Sequence, residues 1–197
     1  MASALKLLIR DGYRRVRLED VADDAGVSKA TVYHYFANKD DLLTRTVASR
    51  VAEKQATIEA RLASAGGTAS EQLRLFLHQF WTMSLTPQAG LWQRLLASEI
   101  VTDAPEVFAA WARGFVHRVR FVERLIKDGQ RTREFRRDAD AGVAARLILS
   151  ALSHQALFHV HFGMRRFAPC DLDHLFESAM EQLLHGLRPP TGRATRR

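Results

Sequence analysis

Ser28, Lys29, Ala30, Thr31, Tyr33, His34 and Tyr35 crowd hydrogen-bonding tips, a cation and flat rings into eight residues. Ser28 is a good N-cap, because its hydroxyl accepts from a free amide in the next turn. In the helix it would open, Val32 and Phe36 lie four apart and, with Val27 just ahead, form one apolar stripe. The polar and aromatic residues are left to the flanks and the far side. A solvated face would carry Glu, Lys and Gln instead. Small residues near the helix start permit close approach to DNA. Thr31 and Ala30 suit base edges or a thymine methyl, and Lys29, Tyr33, His34 and Tyr35 suit phosphates. The plainer alternative for Tyr33 and Tyr35 is packing beneath neighbouring helices. Catalytic constellations are missing from the sequence: it has no Gly-rich phosphate loop, no Gly-x-Ser-x-Gly, no His-Glu-x-x-His and no Cys-x-x-Cys. No catalytic residue, metal ligand or cofactor is assigned. His159 and His161 sit two apart, a spacing that points helical side chains away from each other.

Positioning that face requires a helix, a tight turn and a second helix. Residues 18–25 supply the first, with Leu18, Val21, Ala22 and Ala25 inward, and Gly26 supplies the left-handed turn that ends it. Upstream, residues 2–11 read as a helix with Ala4, Leu5, Leu8 and Ile9 on one face. Downstream, a long helix over 39–64 begins with Lys39, which can meet a phosphate beside the free amides. Further helices are expected over 70–85, 88–101, 105–130, 140–163 and 171–186. Pro87, Pro105 and Gly129 act as punctuation. Along 105–130 the cations Arg113, Arg118, Arg120, Arg124 and Lys127 interleave with the apolar stripe and read as a solvated outer face.

The run Gly26-Val27-Ser28-Lys29-Ala30-Thr31-Val32-Tyr33-His34-Tyr35-Phe36, with Asn38-Lys39-Asp40-Asp41-Leu42-Leu43 behind it, resembles the DNA-binding signature of the tetracycline-repressor (TetR) family. The segment from Gly129 through Glu134-Phe135-Arg136 to Asp140 resembles the family again, just before its penultimate helix. The resemblance implies an all-α fold: a three-helix helix-turn-helix head over 1–45, and a helical ligand-binding and dimerisation body over 46–187. It implies a ligand-responsive regulator, usually a repressor, that binds a palindromic double-stranded operator as a homodimer through its last two helices. A small-molecule effector would release it. Arg17 departs from the family's Thr or Ser cap; it either reaches a phosphate or stays solvated above a weaker cap. Ala30 replaces the Gly common there. The alternative is a helical ligand carrier or enzyme with a vestigial DNA-binding head. For the effector, Phe80, Met83, Trp92, Trp111, Phe115, His117, His154 and Phe158 offer apolar surface with a few polar points, the mix of a ligand cavity. Each also suits ordinary core.

Composition adds bounds. The 197 residues suffice for one domain or two small ones, and 47% are hydrophobic. The lone Cys170 excludes an intrachain disulfide framework and suits a reducing cytoplasm. No uninterrupted apolar run reaches about 18 residues, so no membrane span is expected, and Arg10, Asp11, Arg14 and Arg15 break any signal-peptide pattern. The net charge of +7 is unevenly spread. Residues 1–45 are only +1, residues 113–137 are +6, and the tail over 188–197, expected to be disordered, is +4. The local motif, and not bulk charge, carries the nucleic-acid reading.

Overall fold

Side-chain caps explain where most of the helices begin. The structure, a computed structural model, describes residues 1–189. In chain order the helices are α1 (Ala2–Asp11), α2 (Leu18–Ala25), α3 (Lys29–Tyr35), α4 (Lys39–Ala65), α5 (Ala69–Ser84), α6 (Pro87–Leu95), α7 (Val101–Asp103), α8 (Pro105–Arg131), α9 (Ala141–Gln155) and α10 (Leu172–Leu187). Two π-helical turns interrupt this order, Leu96–Ile100 between α6 and α7 and Ala156–His161 after α9. No strand occurs among the described residues. The hydroxyls of Ser28, Thr68 and Thr86 and the carboxylates of Asp140 and Asp171 accept from first-turn amides of α3, α5, α6, α9 and α10. Each such cap contributes about 1 kcal/mol. The tail expectation over 190–197 lies outside the described residues.

By packing, the chain divides into two units: Met1–Thr57 with Thr86–His117, and Ile58–Leu85 with the chain from Arg118 onward. These packing units cut the chain differently from the division at residue 45. In the first, Ala4, Leu7 and Leu8 of α1, Leu18, Val21 and Ala22 of α2, Val32 of α3, and Leu42, Leu43 and Val47 of α4 share one core. Ile100, Val107 and Ala110 complete it. Leu7 is buried where Leu5 and Ile9 were expected, and Ala25 and Val27 are exposed. At eight and seven residues, α2 and α3 are too short to hide more than a narrow stripe.

Gly114 of α8 belongs to the same unit, and a Cβ there would sit 2.2 Å from Cγ1 of Val51. Gly114→Ala is therefore expected to lower stability by about 1–3 kcal/mol through overpacking, read as a lower midpoint in thermal unfolding.

The second unit packs Leu73, Phe76, Leu77, Phe80 and Trp81 of α5 with Val122 and Ile126 of α8, Phe135 of the loop after it, Ile148 and Leu149 of α9, and Phe176 and Met180 of α10. The expectation of a uniformly solvated basic face on α8 is corrected here. Arg113, Arg120, Arg124 and Lys127 are exposed, but Arg118 falls on the inward register shared by Gly114, Val122, Ile126 and Gly129. The membrane expectation also needs an amendment. Ala141–His161 is one helical run long and apolar enough to cross a bilayer, and its most apolar 18-residue window has a mean hydropathy of 1.2 with 33% of that window buried.

Candidate nucleic-acid interface

The turn that orients α3 follows from glycine. Gly26 adopts φ 67°, and its amide donates back to Ala22 and Asp23 carbonyls, closing α2. Arg17 offers no acceptor to α2; instead its amide donates to Asp20 Oδ2 at 3.2 Å, and its side chain is exposed. Ser28 Oγ accepts from the Thr31 amide at 3.1 Å and lies 2.8 Å from Thr31 Oγ1. Val32 alone of α3 is buried, which aims Lys29, Ala30, Thr31, Tyr33, His34 and Tyr35 at solvent. Tyr33 and Tyr35 are 52% and 63% exposed, so packing beneath neighbouring helices is ruled out for their rings.

Two of the expected contact residues are partly engaged already. The Tyr33 hydroxyl donates to Glu19 Oε1 at 2.7 Å, which holds the Glu19 carboxyl below its ordinary range and raises the tyrosine. Lys39 is half-buried: its Nζ donates to the Tyr13 carbonyl at 2.9 Å and sits 4.1 Å from that ring's centroid. Lys39 thus braces the turn before α2, while Tyr13 donates to Asp40 Oδ1 at 2.6 Å. Tyr33 and Lys39 read as phosphate ligands in the sequence because nothing local reveals acceptors 14 and 26 residues away. It also passed over Asn38, whose Oδ1 accepts from the Asp41 amide at 2.9 Å while Asp41 accepts from the Ala37 amide at 3.1 Å. This reciprocal cap fixes the start of α4 directly behind α3.

The residues expected around a ligand fall into separate groups. Trp92 and Trp111 pack on the core of the first unit, Phe115 stacks on Trp111 at 6.2 Å, and His117 is exposed. In the second unit Phe80 is buried and Met83 half-buried on α5. His154 and Phe158 stack at 4.2 Å on the exposed side of α9 and its π-helical turn. A cleft of about 410 Å³ in the first unit is lined by none of these; Arg10, Gly12, Arg14, Arg94 and Glu99 form its walls. There the Arg14 amide donates to Glu99 Oε2 at 3.1 Å and its guanidinium to Asp103 Oδ2 at 2.6 Å.

Such a head defines a class, the all-helical helix-turn-helix proteins. Residues 1–46 match the family model for bacterial regulatory proteins of the tetR family, about a quarter of the chain. An HTH-type transcriptional regulator BetI of Agrobacterium fabrum is 33% identical over 87 residues. That match spans 44% of this chain and 42% of that protein, less than half the length of the curated relative. A transcriptional regulator FadR from Bacillus subtilis, solved in complex with stearoyl-CoA, is similar at a TM-score of 0.73 and 20% identity, covering 95% of this chain and 97% of that one. A transcriptional regulator from Saccharomonospora viridis, solved in complex with choline, is similar at 0.74 and 23%, covering 94% of each chain. At these identities the structural likeness speaks for the fold.

Proposed function

We propose that the chain is a ligand-responsive repressor that grips a palindromic operator as a homodimer and leaves it when a small molecule enters the body. The observation that carries this reading is the exposed face of α3, with Lys29, Ala30, Thr31 and His34 outward and only Val32 buried. In the proposal that face enters the major groove, Arg17 and Tyr35 flank it, and residues 1–45 act as the head against a body over 46–187. Two heads would meet half-sites about 34–36 Å apart or at another multiple of a helical turn.

Homodimerisation through the last two helices is supported by an apolar stripe that the chain leaves uncovered. Val143, Leu147, Ala151, His154 and Phe158 recur at helical spacing and are all exposed, Leu147 by 64%. Leu172, Leu175, Ala179 and Leu183 are half-buried beside the buried Phe176, Met180 and Leu184 of α10. A second copy explains why Ala141–His161 is apolar yet mostly uncovered, and it draws His154 and Phe158 into the interface instead of the ligand cavity. We place the protein in the cytoplasm on the same reading, with no enzymatic activity.

Leu147→Glu is expected to yield a monomer, because desolvating an unpaired carboxylate costs several kcal/mol. Sedimentation velocity at micromolar concentration checks this, and a dimer as tight as the parent's would remove α9 from the interface. The reading as a whole is tested by selecting bound sequences from random DNA, then challenging the complex with small molecules. Relatives of this fold hold stearoyl-CoA in one case and choline in another, so effectors of either charge belong in that panel. Failure to enrich any palindromic sequence would sink the proposal.

A further inference from the structure

Arg118 is a cation in a place built for an apolar side chain. It stands one turn after Gly114 and one turn before Val122 on α8, both buried. Its guanidinium lies 5.9 Å from the centroid of Phe80, itself 7% exposed. Its Nε is shielded from solvent and finds no hydrogen-bond acceptor, and no ion pair involves it among the described residues. Carboxylates of the same unit are committed elsewhere. Glu177 pairs with Arg74, Glu59 with Arg124, Glu123 with Lys127, and Glu134 accepts from the Ala69 and Ser70 amides.

A guanidinium held this way is a cost to the free protein. Withdrawing an ion from water is costly, and partial burial without an opposite charge leaves that cost uncompensated. The ring of Phe80, 5.9 Å away, returns only part of it. Burial pushes the guanidinium down to about 10, so it remains charged at neutral pH. The planar fork of donors matches one chemical partner well, a carboxylate or phosphate bound through paired N–H···O contacts. The same end of α5 meets an irregular element. His161 Nε2 lies 2.8 Å from the Ser84 carbonyl, in the π-helical turn Ala156–His161. Turns of this kind recur at functional sites.

We propose that Arg118 anchors the effector by its acidic head, a carboxylate or phosphate carried on an apolar body that lies along Phe80. The inference rests on the ligand-responsive reading above and narrows it to anions. Quaternary ammonium compounds would meet like charge at this position.

The test uses the full chain, Arg118→Met and Arg118→Lys. Without ligand, Arg118→Met is expected to raise the urea midpoint, since it removes an unpaired, half-buried charge and keeps the volume. A structural role for the guanidinium would lower it. Calorimetry then compares dodecanoate, dodecyl phosphate, dodecan-1-ol and dodecyltrimethylammonium as probes. The parent should bind at least one anion, and the stronger of the two identifies the head group. Arg118→Met should weaken that anion about 10-fold or more and leave the alcohol unchanged, with Arg118→Lys falling between. A lowered midpoint, anion binding unaffected by Arg118→Met, or a parent that binds neither anion overturns the proposal. If the alcohol or ammonium releases DNA while neither anion binds, the anchor fails and the ligand-responsive reading survives. If an anion binds through Arg118 but never changes DNA affinity, the anchor stands and that reading falls.

Discussion

Phe135→Ala is expected to lower the stability of the second packing unit by about 3–5 kcal/mol, the largest effect of any single substitution considered for this chain. The ring is 2% exposed, and it lies so close to α8 that a Cβ on Gly129 would stand 2.2 Å from its Cδ2. No side chain can collapse from that direction to refill the void. Around the ring the loop after α8 is tied on every side. The Phe135 amide donates to the Gly129 carbonyl at 2.9 Å, and the Arg136 amide to the Leu187 carbonyl at 2.7 Å. Gln130 Nε2 bridges the carbonyls of Arg136 and Ala139 at 2.9 and 2.8 Å. Arg133 takes a left-handed φ of 66°, a strain on the order of 1 kcal/mol or more that these bonds must hold.

Glu134, next in line, caps α5 from outside. Burial pushes its carboxyl up, but hydrogen bonds from the Ser70 and Ala69 amides and the Thr132 and Thr68 hydroxyls outweigh that and hold it below its ordinary value. Its contribution is therefore present above the unfolded carboxyl pKa and lost as pH falls through the lower folded one. Urea unfolding at neutral pH checks Phe135→Ala, and the same titration in acid on Glu134→Gln should lose part of the pH dependence. A Phe135→Ala midpoint matching the parent would contradict this account of the loop.

The second large effect belongs to α3. Thr31→Ala and His34→Ala are each expected to weaken the selected operator by about 1–3 kcal/mol, roughly 5- to 150-fold, and scrambled DNA far less. Both residues are exposed, so the fold should be untouched. Thr31 Oγ1 shares a 2.8 Å contact with Ser28 Oγ, but the cap of α3 uses the Thr31 amide, which survives the substitution. Lys29→Ala should instead weaken all sequences alike and reduce the salt slope by about 1. Tyr33 works differently, because its hydroxyl is held by Glu19 and braces α3 against α2. Gel shifts on matched and scrambled sites at two salt concentrations read all of these outcomes. Unchanged affinity in every variant would exclude α3 from the interface.

Much of this was legible before any coordinates. Ser28, Gly26, Pro87 and Pro105 act through their own backbone neighbours, so helix limits could be read to within a residue or two. The recognition face could be read for the same reason: once Val32 must be buried on a seven-residue helix, the outward residues follow from a 3.6-residue period. The ligand set was less legible. Large apolar residues look alike in sequence whether they fill a core, as Phe80 does, or lie on a bare stripe, as Phe158 does with His154.

Tertiary structure decided what depends on partners far along the chain. Lys39 was committed to the Tyr13 carbonyl, Tyr33 to Glu19 and Arg118 to the inner side of α8, each by a neighbour that no local pattern announces. Local backbone bonding and helical periodicity are short-ranged, so the residue order determines them by itself. Burial and charge pairing are set by which surfaces meet, and only the folded chain brings those together.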